Sequence, residues 1–411
     1  VNDTVLISGA SIAGPSLAYC LAYWLNRCGF RAAVVEKAST VRPGGYPIDL
    51  RGAAVEVIDR MGLLSQVRAA HIATRRLTCV DSRGRRTARL ELTNISGTGH
   101  DVELPRGTLA ALLYDATRDA VEYMFDNSIS SLEQTDEGVR VTFRSGAQRT
   151  FGLVVGADGL HSNVRGLTFG AEPKFHRYLG YYFAGFSVDT DFGLDSEVVM
   201  HNRPGRLAAL YAVRNQRRPG ALLAFAVKER IDRRLSALEQ FELVERAFAG
   251  DGWEVPRLLA AMRTADDLFF DSVSQIRMPY WTKGRVALVG DAGYAPSFLS
   301  GQGSSLAVVG AYQLAAALAA VGGDHRVAFP AYERSMRHYV EQNQQLALKS
   351  SGTLIPRTTV GLWLRNRILG IVPLLRWLNL PLDAGTQRAA NSLTLAALPS
   401  PLLASRVPAE G

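Results

Sequence analysis

Three short glycine-bearing segments hold the residues best suited to chemistry: Gly9-Ala10-Ser11-Ile12-Ala13-Gly14, Gly156-Ala157-Asp158-Gly159, and Gly290-Asp291 followed by Pro296 and Gly301-Gln302-Gly303. In the first, Gly9 suits a tight turn from strand to helix, the small Ser11 lets backbone approach a pyrophosphate, and Gly14 lets helix and strand pack closely. The N–H groups near Ile12 and Ala13, at a helix start, would meet an anion with the positive end of the helix dipole. Glu36, roughly twenty residues on and beside Lys37, is placed to accept from ribose hydroxyls. Asp291 follows a buried-strand pattern, where a carboxylate is a natural acceptor for a polyol. Together these residues point to dinucleotide binding.

Such residues need elements to position them. Strand 5–8, helix 13–27 and strand 32–36 form one predicted βαβ unit. Helical spacing continues over 53–70 and 109–121, with short strands at 77–80 and 87–92. Strands at 130–133, 139–143 and 150–155 follow, the last delivering Asp158. From about 175 to 270 the texture turns alternating and aromatic-rich, which predicts an antiparallel sheet. Strand 285–289 and helix 304–320 then restore the first pattern, followed by an amphipathic helix over 330–350 and a tail of short helices. The expected fold is α/β: a Rossmann-like domain interrupted by an antiparallel-sheet substrate domain, with a helical C-terminal segment. The boundaries are 1–75, 101–174 and 273–345 for the dinucleotide domain, 76–100 and 175–272 for the substrate domain, and 346–411 for the tail.

Bulk properties exclude several classes. The chain has 411 residues, 47% hydrophobic and 20% charged, ordinary for a globular enzyme. The net charge of +8 comes from scattered Arg without a like-charge block, so an anionic cofactor rather than nucleic acid is expected. Cys20, Cys28 and Cys79 are odd in number and lack CxxC or metal-ligand spacing, and no His pair has zincin spacing; a reduced cytoplasmic setting and no metal are expected. The chain enters its first strand without a signal-peptide pattern. Gln313, Arg365, Arg367 and Arg376 interrupt the apolar runs, so none is expected to span a membrane. The apolar, Arg-punctuated stretch 360–382 could lie on a membrane surface, although a docked helical cover is the favoured reading.

The three segments together resemble the single-component, class A FAD-dependent aromatic hydroxylases of the p-hydroxybenzoate hydroxylase fold, over residues 1–345. The resemblance implies a GR2-type FAD-binding domain. Asp158 and Gly159 would lie by the FAD pyrophosphate and the NAD(P)H route, and Asp291 by the ribitol or ribose. Pro296, Gly301, Gln302 and Gly303 would run beside the isoalloxazine. Arg106 matches a flavin-contacting Arg, while Arg42 and Asp49, around Gly44-Gly45, match positions for NAD(P)H approach and flavin contact. The family usually carries His where this chain has Tyr294, so no role tied to that His carries over.

The implied chemistry belongs to the cofactor: NAD(P)H reduces FAD, O₂ adds to give a flavin C4a-hydroperoxide, and its distal oxygen goes to an electron-rich carbon. The substrate would be an aromatic or polyketide-like small molecule, walled by Tyr182, Phe183, Met200, Tyr211, Phe225 and Phe269. Baeyer–Villiger oxidation, epoxidation and a flavin-scaffolded non-redox cyclisation stay open; the halogenase Trp-x-Trp-x-Ile-Pro signature is missing. By length and the Gly44–Leu50 segment, the chain is most similar to compact tetracycline-inactivating and antibiotic-pathway monooxygenases.

Overall fold

The computed structural model describes residues 3–26, 29–42, 45–72, 74–91, 101–212, 218–231, 235–377 and 384–397. Expectations that fall on Cys28, Gly44, Leu92, residues 378–383 and the end of the tail lie outside these residues.

A six-stranded sheet runs in the order Thr282–Lys283, Val286–Leu288, Leu153–Gly156, Thr4–Ser8, Arg31–Val35, Glu122–Met124. All neighbours are parallel except the Thr282–Lys283 edge. Its strands are apolar runs such as Leu153-Val154-Val155, as expected where helices and loops cover both faces. The register decides the location of the site. Ser8 is opposite Gly156 on one side and Val35 on the other, and Gly156 is opposite Leu288. The carboxyl ends of four adjacent strands are therefore level, and the residues that follow them emerge on one edge, where open α/β sheets bind ligands.

The buried Gly303–Ala320 helix packs on the Ala13–Tyr19, Ala53–Arg60 and His325–Leu354 helices. It is long and apolar enough by composition to cross a membrane, contrary to the expectation of no such run, but most of it is enclosed by the fold.

Several element boundaries differ from the expected ones. The first helix is α-helical over Ala13–Tyr19 and continues as a π-helical stretch, Cys20–Trp24, that brings Trp24 edge-on to Tyr312 at 5.4 Å. Helix 53–70 is two helices, Ala53–Arg60 and Leu64–Ala69, parted by a turn at Met61-Gly62. Helix 109–121 starts at Arg106 and stops at Asp115, because the chain must turn into the edge strand Glu122–Met124. Strand 150–155 is two strands of different sheets: Gln148–Phe151 closes a three-stranded sheet, Gly152 N–H bonds to the Thr4 carbonyl, and Leu153 enters the parallel sheet.

A seven-stranded sheet runs Phe269–Ile276, His176–Ser187, Gly220–Ala226, Arg206–Tyr211, Glu197–Arg203, Arg76–Val80, Arg86–Glu91. It is antiparallel except that Glu197–Arg203 and Arg76–Val80 are parallel, since the latter arrives from a distant part of the chain. Two helices unforeseen from the sequence, Ala237–Phe248 and Val255–Thr264, cover one face, the first opened by a Ser236/Glu239 capping box. The Thr359–Trp377 helix docks at the far edge, where buried Arg365 donates to Asn202 Oδ1 at 2.9 Å.

Candidate active site

The Gly9 turn begins as the first strand ends. Gly9 has φ +109°, and a Cβ at Gly14 would lie 1.9 Å from the Gly9 carbonyl oxygen, so helix and turn approach as only glycine permits. The Glu36 carboxylate receives Ala10 N–H at 2.9 Å and Ala38 N–H at 3.0 Å. It is thereby fixed at the end of the second strand with lone pairs left over for hydroxyls. Arg106, at the start of its helix, donates to Ser11 Oγ at 2.7 Å. The residue that departs from glycine in the first motif is thus held by the predicted flavin-contacting Arg, and its hydroxyl proton stays free to donate.

Gly9, Ala10, Ser11, Glu36 and Arg106 line a cleft of about 330 Å³ that also takes in Ile12, Ala13, Lys37, Arg42, Asp158, Gly159, His161, Asp291 and Gly303. A second cleft of about 160 Å³ adjoins it, sharing Tyr46, Phe269, Asp271, Asp291 and Gly303 and adding Asp49, Phe183, Pro296, Phe298 and Gly301.

The two motif carboxylates have different circumstances. Asp158 accepts from Ser162 Oγ, from Asn163 N–H at 2.9 Å, from Val164 N–H at 3.1 Å and from Ser8 Oγ at 3.4 Å. It anchors the Asn163–Phe169 helix to the first strand, so its carboxylate is already engaged. Asp291 accepts no hydrogen bond from any described residue, yet it lines both clefts. Burial pushes its carboxyl pKa up; Arg106 opposes that and Asp271 adds to it. A half-buried acceptor without a donor among the described residues, facing open space, suits the hydroxyls of a bound polyol. Arg165, fully buried, binds the two later motifs together by donating to the Leu160 carbonyl at 2.7 Å and the Ala292 carbonyl at 2.9 Å.

The chain's similarity to known proteins agrees with this geometry. Residues 2–346 match the family model described as an FAD binding domain. The chain belongs to the FAD-dependent monooxygenase family. It is 46% identical over 347 residues to an uncharacterised protein of Mycobacterium tuberculosis, covering 84% of this chain and 92% of that one. To a flavin-dependent monooxygenase of Legionella longbeachae it is 34% identical over 361 residues, covering 87% and 91%. Among solved structures, tetracycline destructase Tet(51) superposes with a TM-score of 0.83 at 30% identity, covering 97% of this chain and 100% of that one. The protein is accordingly an oxidoreductase with FAD as cofactor.

For an FAD-dependent monooxygenase the residues fit their group. Glu36, Ser11 and Arg106 face the first cleft, and Asp291 and the N-terminus of the Gly303–Ala320 helix stand where the clefts join. Arg42 is exposed on the rim of the first cleft, and no described carboxylate pairs with it. Asp49 lines the second cleft while its Oδ2 receives Arg51 Nη2 at 2.9 Å. Two of the cofactor candidates, Gly14 and Gln302, line neither cleft; Gly14 packs under the Gly9 turn, and Gln302 is enclosed in the fold. The Gln302 side chain is without a hydrogen-bond partner among the described residues, and its N–H bonds to Ser300 Oγ at 3.0 Å.

Only two of the six substrate candidates, Phe183 and Phe269, reach a cleft. Side chains alternate across a strand, so Tyr182 projects to the opposite face from Phe183, and Phe225, its cross-strand partner, goes with it into the helix-covered core. Met200 is buried on the same face as Phe183 but farther along the sheet, and the Tyr211 ring lies over Gly220. Tyr294 is also core: its hydroxyl bonds to Tyr332 Oη at 2.9 Å, Tyr332 donates to the Leu288 carbonyl at 3.0 Å, and the ring packs on Trp281.

Sequence reasoning missed His161 and Asp271. The His161 imidazole lies between two carboxylates, with Nδ1 3.1 Å from Glu172 Oε1 and Nε2 3.1 Å from Asp271 Oδ1. Hydrogen bonds that its ring N–H groups donate to Asp271 and then Glu172 raise its pKa to about 9. The signal was available: His161 stands inside the second motif, and Asp271 is the one acid in the strand Phe-Phe-Asp-Ser-Val-Ser-Gln-Ile.

Proposed function

We propose that the protein takes electrons from NAD(P)H and uses O₂ to hydroxylate an aromatic or polyketide-like small molecule in the cytoplasm. The observation that carries this reading is the junction of the clefts, where Asp271, Asp291 and the Gly303 helix start are shared by a groove lined with the glycine motifs and one walled by aromatic rings. When bound, FAD supplies the chemistry that activates O₂ at the expense of NAD(P)H. The chain supplies the rest. Glu36, Ser11 and Arg106 bind and orient the dinucleotide, and Asp291 accepts from its polyol. N–H groups at the start of the Gly303–Ala320 helix stabilise negative charge placed before them. Phe183, Phe269, Phe298 and Tyr46 exclude water and hold a flat guest. Arg42, at the rim and without an ion-pair partner among the described residues, suits the approach of an anionic dinucleotide. Likeness to a tetracycline destructase supports a polycyclic substrate. Buried free thiols at Cys20 and Cys79 support a reducing compartment.

The test is to purify the protein, measure its flavin, and follow NAD(P)H oxidation and O₂ uptake with a panel of phenolic and polyketide ligands. The expected result is a yellow protein in which a ligand accelerates both, with one oxygen atom found in the product. A protein that binds no FAD on reconstitution overturns the reading. Turnover without NAD(P)H or O₂ would identify a flavin-scaffolded cyclisation instead.

A further inference from the structure

The second cleft has an unbalanced electrostatic lining. Three carboxylates, Asp49, Asp271 and Asp291, face it, and no Lys, Arg or His stands among the residues that line it. The cations that act on these carboxylates lie outside its lining: Arg51 on Asp49, His161 on Asp271, and Arg106, which donates to Ser11 in the first cleft, with Arg165 on Asp291. Asp271 is the carboxylate best prepared for a ligand on the substrate side. Ser272 N–H donates to its Oδ1 at 2.7 Å, and His161 Nε2 lies 3.1 Å from both oxygens. Its side chain is 15% exposed, at the point where the clefts meet. Beside it stand the Phe183 ring, stacked on Phe298 at 4.7 Å and tilted on Phe269 at 5.5 Å, and the Tyr46 ring, 6.1 Å from Phe183.

From this lining we infer that Asp271 selects the substrate: the guest is an aromatic that presents an O–H or N–H donor, neutral or amine-bearing, to the Asp271 carboxylate, and aromatic carboxylates are rejected. The inference rests on the monooxygenase reading of the same site. An aromatic body gains from the ring walls, and a donor gains a charge-assisted bond to an acceptor whose orientation is already fixed. A carboxylate in the same place would meet like charge in a partly desolvated cleft whose neighbouring cations, Arg51 and His161, are already engaged by Asp49 and Asp271, which is discrimination by repulsion.

The experiment uses the FAD-loaded protein and calorimetric titration at pH 7.5 with one bicyclic arene without other polar groups, bearing at the same carbon an aminomethyl, a hydroxymethyl or a carboxylate group. The amine and the alcohol are expected to bind, and the carboxylate on the order of a hundredfold more weakly. In Asp271→Asn the two donors should weaken by about tenfold and the handicap of the carboxylate should shrink to less than about tenfold. Phe183→Leu should weaken all three alike. Equal or tighter binding of the carboxylate overturns the inference, as does a handicap unchanged in Asp271→Asn, or failure of both donors to bind at millimolar concentration. The wild-type series decides the matter even where a variant does not fold. Because heat of binding needs neither NAD(P)H nor O₂, the expected order in a protein that oxidises none of the three sustains the inference and overturns the monooxygenase reading. A carboxylate that binds best and is oxidised does the reverse.

Discussion

At the scale of single residues, two aspartates that look alike in the sequence carry different loads. Asp158 bonds to two hydroxyls and two backbone N–H groups, so Asp158→Ala leaves those donors without their acceptor. We expect a stability loss of about 1–3 kcal/mol, read as a lower melting temperature with or without FAD. Asp291 has no donor within the described protein, and burial already disfavours its charge. Asp291→Ala should leave the melting temperature of the FAD-free protein unchanged or higher, while FAD affinity falls by about tenfold to a hundredfold, the worth of hydrogen bonds to a charged acceptor. Flavin fluorescence titration and thermal melts on both variants separate the two roles; equal losses of stability would refute the distinction.

At the scale of elements, the place of Tyr294 depends on one glycine in a neighbouring helix. A Cβ at Gly310 would lie 1.9 Å from the Tyr294 hydroxyl and 3.2 Å from its ring carbon Cζ. Gly310→Ala should therefore destabilise by about 1–3 kcal/mol through overpacking, despite the better helix propensity of Ala. In a Tyr294→Phe background the closest contact is gone, and the same change should cost little or even stabilise. Urea melts of the four proteins in a double-mutant cycle give the coupling; additive effects would show that the helix can yield instead. The phenol thus fills a space made for it in the core, which explains structurally how the chain accommodates Tyr at this position.

At the scale of the molecule, the His161 cluster joins the two sheets. Its ring connects the loop after Gly159 to Asp271 on the seven-stranded sheet, while Arg165 and Arg230 share Glu172 with it. The His161 pKa is about 9, above its ordinary 6.5, so the stabilisation it brings is complete below pH 6.5 and is lost as pH rises through 9. For Glu172, burial raises the pKa but His161 and Arg165 outweigh it, leaving it at about 2; its contribution is present above the usual 4.5 and lost only as pH falls through 2. Nearby His176, held neutral by burial and Arg230 with a pKa of about 4, loses its contribution as pH falls from 6.5 through 4. The melting-temperature difference between the wild type and His161→Gln should then be largest near pH 6.5 and fade by about pH 9. It should be modest, since 53% of the imidazole side chain is exposed. A difference independent of pH would show that the ring acts by packing alone.

Much of the fold could be read from the chain. The glycine spacing of the first motif and the apolar strands around it required a βαβ entrance, because a turn that tight and an approach that close exclude larger residues, and the change to alternating aromatic segments announced a second sheet. Lengths of elements were less legible. The break at Gly152 and the π-helical stretch after Tyr19 depend on partners distant in sequence, Thr4 and Tyr312. Phe183 and Phe269 could be named as candidates from composition, but not separated from Tyr182 and Phe225, since alternation says that neighbours face opposite sides without saying which side holds the cleft. By itself, then, the sequence determined dinucleotide binding, through local backbone geometry that only particular residues permit, and its family resemblance implied that the dinucleotide is FAD. The tertiary structure decided which residues meet at the cofactor's far end. The Asp271–His161 pair joins positions 110 residues apart and forms only when the two sheets come together.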